Sequence, residues 1–334
     1  MRPRRAMAAI PLSGLAGCAG VQSSLDPAGI QAARVAGLWW FMFAIATAVF
    51  ILILAAMAYA AMHRRRVATT TAADARHEKR MATAILAATA ATIVVLFVFL
   101  IVNFSTERAL ASLPGDQAIS VKITGYQWWW EIEYVDSASS RRLVTANELH
   151  IPVGAPIRIE LAARDVIHSF WVPRLHGKLD MVPGHRNVMW LRADSAGVYR
   201  GQCAEFCGHQ HAKMALTVVA EPREAFDAWL NHQLQPAPPP ATTDQIRGRE
   251  VFESSTCLMC HTIRGTSAAA STGPDLTHLA SRGTIAAGTL PNTRGNLGGW
   301  ITDPHSIKPG VKMPANSLSP DDLHALLSYL ESLR

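Results

Sequence analysis

The sequence predicts a multi-domain membrane protein: a two-helix transmembrane hairpin, then an all-β Greek-key domain, then an all-α domain. Three observations lead there. Residues 37–62 and 81–102 carry no charge, and each run exceeds the roughly 20 residues needed to cross a bilayer as a helix. Residues 118–221 alternate short β-rich segments with turn signals. The last 90 or so residues carry helix-start signals and a helical apolar stripe. At 334 residues the chain is long enough for two or three domains.

The chain opens with Arg2, Arg4 and Arg5, an apolar stretch Ala6–Leu15 and small residues up to Cys18. That stretch is too short to span a membrane, so 1–17 is expected to be a removed signal peptide. Leu15-Ala16-Gly17-Cys18 resembles a bacterial lipoprotein box, which makes Cys18 the expected lipidation site; an idle cysteine behind an ordinary cleavage site is the alternative. Residues 18–36 form an external N-terminal segment. Transmembrane helices are expected over 37–62 and 81–104, because both runs are apolar on every side where a core helix would show a polar stripe.

Net charge is +6, which could suggest a nucleic-acid partner. The leader holds +3 and His63 to Arg80 holds +4, leaving −1 elsewhere. The basicity therefore marks topology, with loop 63–80 cytoplasmic and everything after Asn103 outside, and no nucleic-acid patch remains. Glu78, beside Lys79 and Arg80, fits a solvated charge pair.

In the β region, Ile119–Ile123 and Arg158–Leu161 alternate apolar and polar residues, and Val188–Leu191 and Leu216–Val219 are β-rich. Pro152-Val153-Gly154, Pro183-Gly184 and Ala196-Gly197 mark turns. A short helical stretch runs from Pro222 through Leu230. Residues 233–243, with Pro236, Pro238, Pro239 and Pro240, predict a semi-rigid extended linker. Residues 244–334 then form the helical domain. They end on the cap Ser319-Pro320-Asp321-Asp322 and the stripe Leu323, Leu326, Leu327, Leu330, which core packing explains.

The remaining four cysteines fall in two motifs. Cys203 and Cys207 share one with His211 and Met214, and His168 lies upstream in an apolar strand. Two thiolates, two imidazoles and a thioether suit a copper site that exchanges one electron with little change of geometry. A Cys203–Cys207 disulfide or a Cys2His2 zinc site would use most of the same donors. The Gly201 and Gly208 positions favour a loop between strands over a helix for these ligands. His150, His176, His185 and His209 are expected to be ordinary surface or structural histidines. Cys257-Leu258-Met259-Cys260-His261 is the c-type haem attachment signature, with Cys257 and Cys260 as thioether donors and His261 as iron ligand. Met313, in Lys308-Pro309-Gly310-Val311-Lys312-Met313-Pro314, is expected opposite; Met259 sits inside the attachment loop and cannot reach that side.

Cys-x-Glu-x-Cys-Gly-x-x-His-x-x-Met, preceded by Asp-Val-x-His-Ser-Phe-Trp-Val-Pro, by Gln127-Trp128-Trp129-Trp130 and by two transmembrane helices, resembles subunit II of haem–copper cytochrome c oxidase from about Gly37 to Val219. The resemblance implies a cupredoxin-like domain in which Cys203 and Cys207 bridge two coppers of a CuA centre. His168 and His211 would bind one copper each, with Met214 a weak ligand and Glu205 contributing its carbonyl. The Glu205 carboxylate would meet a magnesium or manganese ion shared with subunit I. Trp128 matches the electron-entry tryptophan; filling a core is its bland alternative. The second helix lacks the family's usual Glu-x-x-Trp-Thr stretch, and Glu78 lies near where the proton-input glutamate would be.

Residues 244–334 are similar to class I cytochrome c domains, and this domain behind a CuA domain resembles the caa-type oxidases. The implied protein is subunit II of such an oxidase in a bacterial inner membrane, with both external domains periplasmic. It would pass electrons from haem c to CuA and on to subunit I, where dioxygen becomes water and protons are pumped. The chain itself carries no dioxygen-binding motif. Subunits I and III and an upstream donor, such as a cytochrome c or a quinol–cytochrome c reductase, would be its partners. A CuA-type nitric oxide reductase subunit and a stand-alone membrane electron carrier are the rival functions; the quinol oxidase relatives lack the copper ligands seen here.

Overall fold

Long apolar helices and short alternating strands assort as their patterns require. The computed structural model describes residues 20–63, 75–111, 118–135 and 142–334. The leader, Cys18 and residues 64–74 of the basic loop lie outside them. The described residues fall into two compact units, 34–113 and the rest.

The first unit is a helical hairpin of α1 (Ile30–Met62) from Arg34 onward and α2 (Ala75–Leu110), both helices long and apolar enough to cross a membrane. Each helix overruns its expected span of 37–62 or 81–104. The flanks explain this: Gln31–Arg34 and Lys79–Arg80 are good helix formers, and no proline interrupts either element. Phe41 meets Phe99 edge to face at 5.6 Å, and the Arg34 guanidinium donates to the Ala109 carbonyl. Glu78 lies in the first turn of α2, where the helix dipole favours an acid.

The second unit holds two five-stranded sheets. One is built from β1 (Ile119–Tyr126), β2 (Trp129–Val135), β3 (Arg142–Ala146), β5 (Ile157–Ala163) and β8 (Asn187–Leu191), in the order β3-β2-β1-β5-β8. The other is built from β4 (Glu148–Pro152), β6 (His168–Trp171), β7 (Leu179–Met181), β9 (Gly197–Cys203) and β10 (Ala215–Glu221), in the order β4-β10-β9-β6-β7. β1 runs parallel to β5 and β4 parallel to β10; the other pairs are antiparallel. Ile123, Trp130, Ile132, Leu149, Ile159 and Phe170 fill the space between the sheets. The chain switches sheets at Asn147, whose φ of 63° is left-handed and whose side-chain oxygen accepts from the Trp130 N–H at 2.9 Å.

The N-terminal segment is bound to this β domain. Ala28 N–H donates to the Arg174 carbonyl at 2.7 Å and Ala32 N–H to that of Leu175 at 3.1 Å. Gly29 permits the approach, since a Cβ there would lie 2.4 Å from the Arg192 carbonyl oxygen. At the other end, α3 (Arg223–Gln233) extends past the expected Leu230 and stacks Trp229 on His150 at 4.0 Å.

The stretch between α3 and the C-terminal domain packs on that domain. Ala237 N–H donates to the Arg264 carbonyl at 2.9 Å, and the Gln235 carbonyl meets His278 Nε2 at 3.1 Å. The C-terminal domain is helical, with α4 (Thr243–Ser254), α5 (Arg294–Thr302), α6 (Pro304–Ile307) and α7 (Pro320–Leu330), plus a small ribbon of β11 (Thr284–Ile285) and β12 (Leu290–Pro291). Ser319 caps α7 by accepting from Asp322 N–H at 3.1 Å, and Leu326, Leu327 and Leu330 are buried. The helix pair α4 and α7 crosses closely at Gly248, where a Cβ would stand 2.1 Å from the Ala325 carbonyl oxygen.

Candidate metal centre

β9 ends at Cys203, the chain loops through Cys207 and a short 3-10 turn at His211–Lys213, and β10 returns from Ala215. The ligand loop is therefore the strand-to-strand turn that the glycines predict. Gly208, with φ of 108°, takes a backbone conformation that a side chain would strain.

At that loop the donors converge, with His168 arriving from β6. Cys203 Sγ and Cys207 Sγ lie 3.7 Å apart. His168 Nδ1 is 3.9 Å from Cys203 Sγ, His211 Nδ1 is 3.7 Å from Cys207 Sγ, and Met214 Sδ is 3.8 Å from Cys207 Sγ. The Glu205 carbonyl oxygen stands 3.2 Å from Cys203 Sγ. The imidazole of His168 fits because β1 offers Gly125 beside it; a Cβ there would come within 2.9 Å of the ring. His168, Cys203 and Cys207 are buried, and one ligand atom from each fits within 4.8 Å. This set of soft sulfur and imidazole donors fits copper.

The electrostatics follow from the crowding. Two sulfurs this close do not both lose a proton readily. The hydrogen bond between them holds the Cys203 thiol well below the ordinary range and pushes Cys207 well above it. Asp165 accepts from Gln127 N–H at 2.7 Å, from Val166 N–H at 2.8 Å and from His168 Nε2 at 2.9 Å. Burial acts to raise the Asp165 pKa, but these bonds outweigh it and hold the carboxyl below its ordinary value. With Nε2–H engaged, His168 turns its Nδ1 lone pair toward the sulfurs. Burial acts to lower the His168 pKa; its bonds to Cys203 and Asp165 outweigh burial and raise it.

The expected electron-entry residue, Trp128, lies in the turn before β2 and is only 6% exposed. Its indole N–H and Gln127 Nε2 both donate to the Cys207 carbonyl, at 2.9 and 2.8 Å. From the helical domain, Gly310 covers it, with an added Cβ standing 3.8 Å from the Trp128 ring. Trp130 is wholly buried and Trp129 half-buried, stacked on Tyr126 at 4.7 Å.

In the helical domain Cys257 and Cys260 are free and half-buried in a 3-10 turn. His261 Nδ1 donates to the Pro274 carbonyl at 2.7 Å, which leaves the Nε2 lone pair available to a ligand. Gly273 makes room for that ring, since a Cβ would sit 2.8 Å from it. Met313 packs half-buried against the domain core, while Met259 is 67% exposed. Free thiols, an oriented imidazole and a thioether fit a covalent haem. The Glu205 carboxylate is on the surface, its Oε2 3.9 Å from Lys178 Nζ.

The sequence pattern assigns no separate role to Asp165 or Gln127. Asp165 stands three residues before His168, a spacing that hints at a partner for the ring but gains meaning only across the turn into β6.

Family models match in two places: residues 135–221 match the cytochrome c oxidase subunit II periplasmic domain, and residues 245–334 match cytochrome c. Cytochrome c oxidase subunit 2 of Alkalihalophilus pseudofirmus is 43% identical over 221 residues, covering 66% of this chain and 63% of that one. Cytochrome c oxidase subunit 2 of Bacillus sp. (strain PS3) is 34% identical over 266 residues, covering 74% of this chain and 73% of that one. The crystal structure of the periplasmic domain of subunit II of the Bradyrhizobium japonicum cytochrome oxidase is 29% identical, with a TM-score of 0.34, covering 36% of this chain and 96% of that one. The extent of the Bacillus match and the two family models, taken with a converging sulfur–imidazole cluster, put this chain in the cytochrome c oxidase subunit 2 family, carrying a fused cytochrome c domain.

Proposed function

We propose that the chain is subunit II of a caa-type cytochrome c oxidase, working with subunits I and III in a bacterial inner membrane. Both external domains would face the periplasm, and Cys18 would carry the lipid. One observation carries the reading: two buried thiols 3.7 Å apart, each with an imidazole nitrogen within 3.9 Å. A single thiolate site would not need the pair.

Cys203, Cys207, His168, His211, Met214 and the Glu205 carbonyl would hold the paired copper of CuA. Cys257 and Cys260 would hold haem c, with His261 and Met313 on its iron. When bound, these groups supply one-electron transfer from haem to copper and onward to subunit I, where dioxygen reduction and proton pumping belong.

The chain's own part is positioning. Asp165 fixes the tautomer and angle of His168, and the Pro274 carbonyl does the same for His261. Gln127 and Trp128 clamp the Cys207 carbonyl, so the ligand loop resists rearrangement between redox states. Trp128, roofed by Gly310, would lie on the electron's path between the domains. The Glu205 carboxylate is the group we assign to a magnesium or manganese ion at the subunit I boundary.

Electron paramagnetic resonance on the copper-loaded full chain tests this. The expected signal is one unpaired electron shared by two copper nuclei. A single-copper pattern, or zinc by metal analysis, overturns the reading. Gentle solubilisation and assay of the co-purified large subunit then separate an oxidase from a nitric oxide reductase or a lone carrier.

A further inference from the structure

The helical domain buries a lysine against the β domain. Lys308 opens the Lys308–Met313 segment, and it is 1% exposed. Its Nζ donates to the Trp128 carbonyl at 2.9 Å, to the Lys213 carbonyl at 2.9 Å and to the Ala286 carbonyl at 3.2 Å. Trp128 belongs to the turn that clamps Cys207, Lys213 lies between His211 and Met214, and Ala286 belongs to the helical domain. Among the described residues no carboxylate pairs with this amine. A buried lysine without a counter-ion is costly, and burial together with the Lys213 charge pushes its pKa down to about 7. Only an ammonium can fill all three acceptors, since a neutral amine has two hydrogens to give.

The neighbours of Lys308 point the same way. Gln210 Nε2 donates to the Pro309 carbonyl at 2.6 Å, and the Lys213 amine donates to the Ile307 carbonyl. Thus residues 307–309 are all held by the ligand loop or by the Trp128 turn. Four residues further on, Lys312 Nζ lies 3.5 Å from Asp165 Oδ2, the carboxylate that orients His168. The stretch that ends in Met313 therefore also touches the groups that hold the copper-side ligands.

We propose that Lys308 is an interdomain positioning residue, a buried three-way hydrogen-bond donor that seats the haem-bearing domain on the Trp128 turn and the ligand loop, and so sets the haem-to-copper transfer rate. This rests on the copper and haem reading above. Lys308 touches neither centre's ligands; it acts through the backbone carbonyls of Trp128 and Lys213.

The test uses the full chain, loaded with copper and haem and solubilised, with Lys308→Met as the apolar variant of similar length. The haem is photoreduced and copper reduction is followed in time. Spin relaxation of the copper signal by ferric haem reports how the two centres sit. We expect the transfer rate to fall about tenfold or more, because three buried carbonyls lose their donor. The relaxation enhancement should weaken as well. The copper hyperfine pattern and the haem absorption spectrum should stay as in the parent, which a general folding defect would not allow. Lys308→Gln, which keeps two donors, should recover part of both losses. Parent-like transfer and relaxation in Lys308→Met overturn the proposal. Should that variant not fold, parent-like behaviour of Lys308→Gln overturns it and an intermediate rate supports it. A parent chain without the shared-copper signal would sink the functional reading instead.

Discussion

Removing the Asp165 carboxylate should loosen the candidate metal site without touching a candidate ligand. Three donors converge on it: Gln127 N–H at 2.7 Å, Val166 N–H at 2.8 Å and His168 Nε2 at 2.9 Å. The side chain is 19% exposed, so water can replace part of what the two backbone donors lose in Asp165→Ala. His168 is wholly buried and has no such substitute at Nε2. Losing the partner that orients a ligating histidine costs roughly 10- to 100-fold in metal affinity, or about 1.4 to 2.8 kcal/mol. The Asp165 pKa is lowered in the folded chain, so its contribution is present above the ordinary carboxylate pKa and lost only as pH falls through its own. At neutral pH the penalty is therefore complete. Copper competition against a chelator of known affinity measures it, with Asp165→Asn, which keeps one acceptor, expected in between. An Asp165→Ala affinity within about twofold of the parent would refute the reasoning.

Other outcomes follow from single contacts. Gly248→Ala should destabilise the cytochrome domain by about 1–3 kcal/mol, since its Cβ would meet the Ala325 carbonyl; thermal melting followed at the haem band should show a lower midpoint despite the roughly 1 kcal/mol gain in helix propensity. Ser319→Ala removes the α7 cap and should cost about 1 kcal/mol in a denaturant titration. Trp128→Phe loses the indole bond to the Cys207 carbonyl while Gln127 keeps its own. The copper signal should survive, but transfer from haem to copper should slow in a flash-photolysis measurement.

Much of the site was legible because its chemistry is local. Cys203, Cys207, His211 and Met214 fall within one loop, and Cys257, Cys260 and His261 within one turn, so spacing alone brings the donors close. The cap and stripe of the last helix were legible for the same reason. Among the strands that the sequence pattern does not mark are β3, β4, β7 and β9: β7 is only three residues long, and β9 contains Gly197 and Gly201, which suggest turns. Gly201 is in fact needed for packing, since a Cβ there would lie 2.7 Å from Leu216 and 2.8 Å from the Trp171 carbonyl oxygen. The helices run past the apolar spans, α1 at its N-terminal end and α2 at both ends, because apolarity marks what a membrane would hold, whereas backbone hydrogen bonding continues through polar flanks.

From the sequence alone came the membrane hairpin, the order of the domains, the donor atoms and the kind of chemistry they suit, because hydrophobic run length and ligand spacing are one-dimensional properties. Tertiary structure alone decided which groups hold those donors in place. Asp165 meets His168 only across a turn, and Gly125 admits the same ring only through its place in the opposite sheet. Lys308, in a Lys-Pro-Gly stretch that resembles a surface turn, becomes buried because folding brings the Trp128 and Lys213 carbonyls to it from 180 and 95 residues away. Hydrogen-bond partners at such separations are set by packing, and no local pattern encodes them.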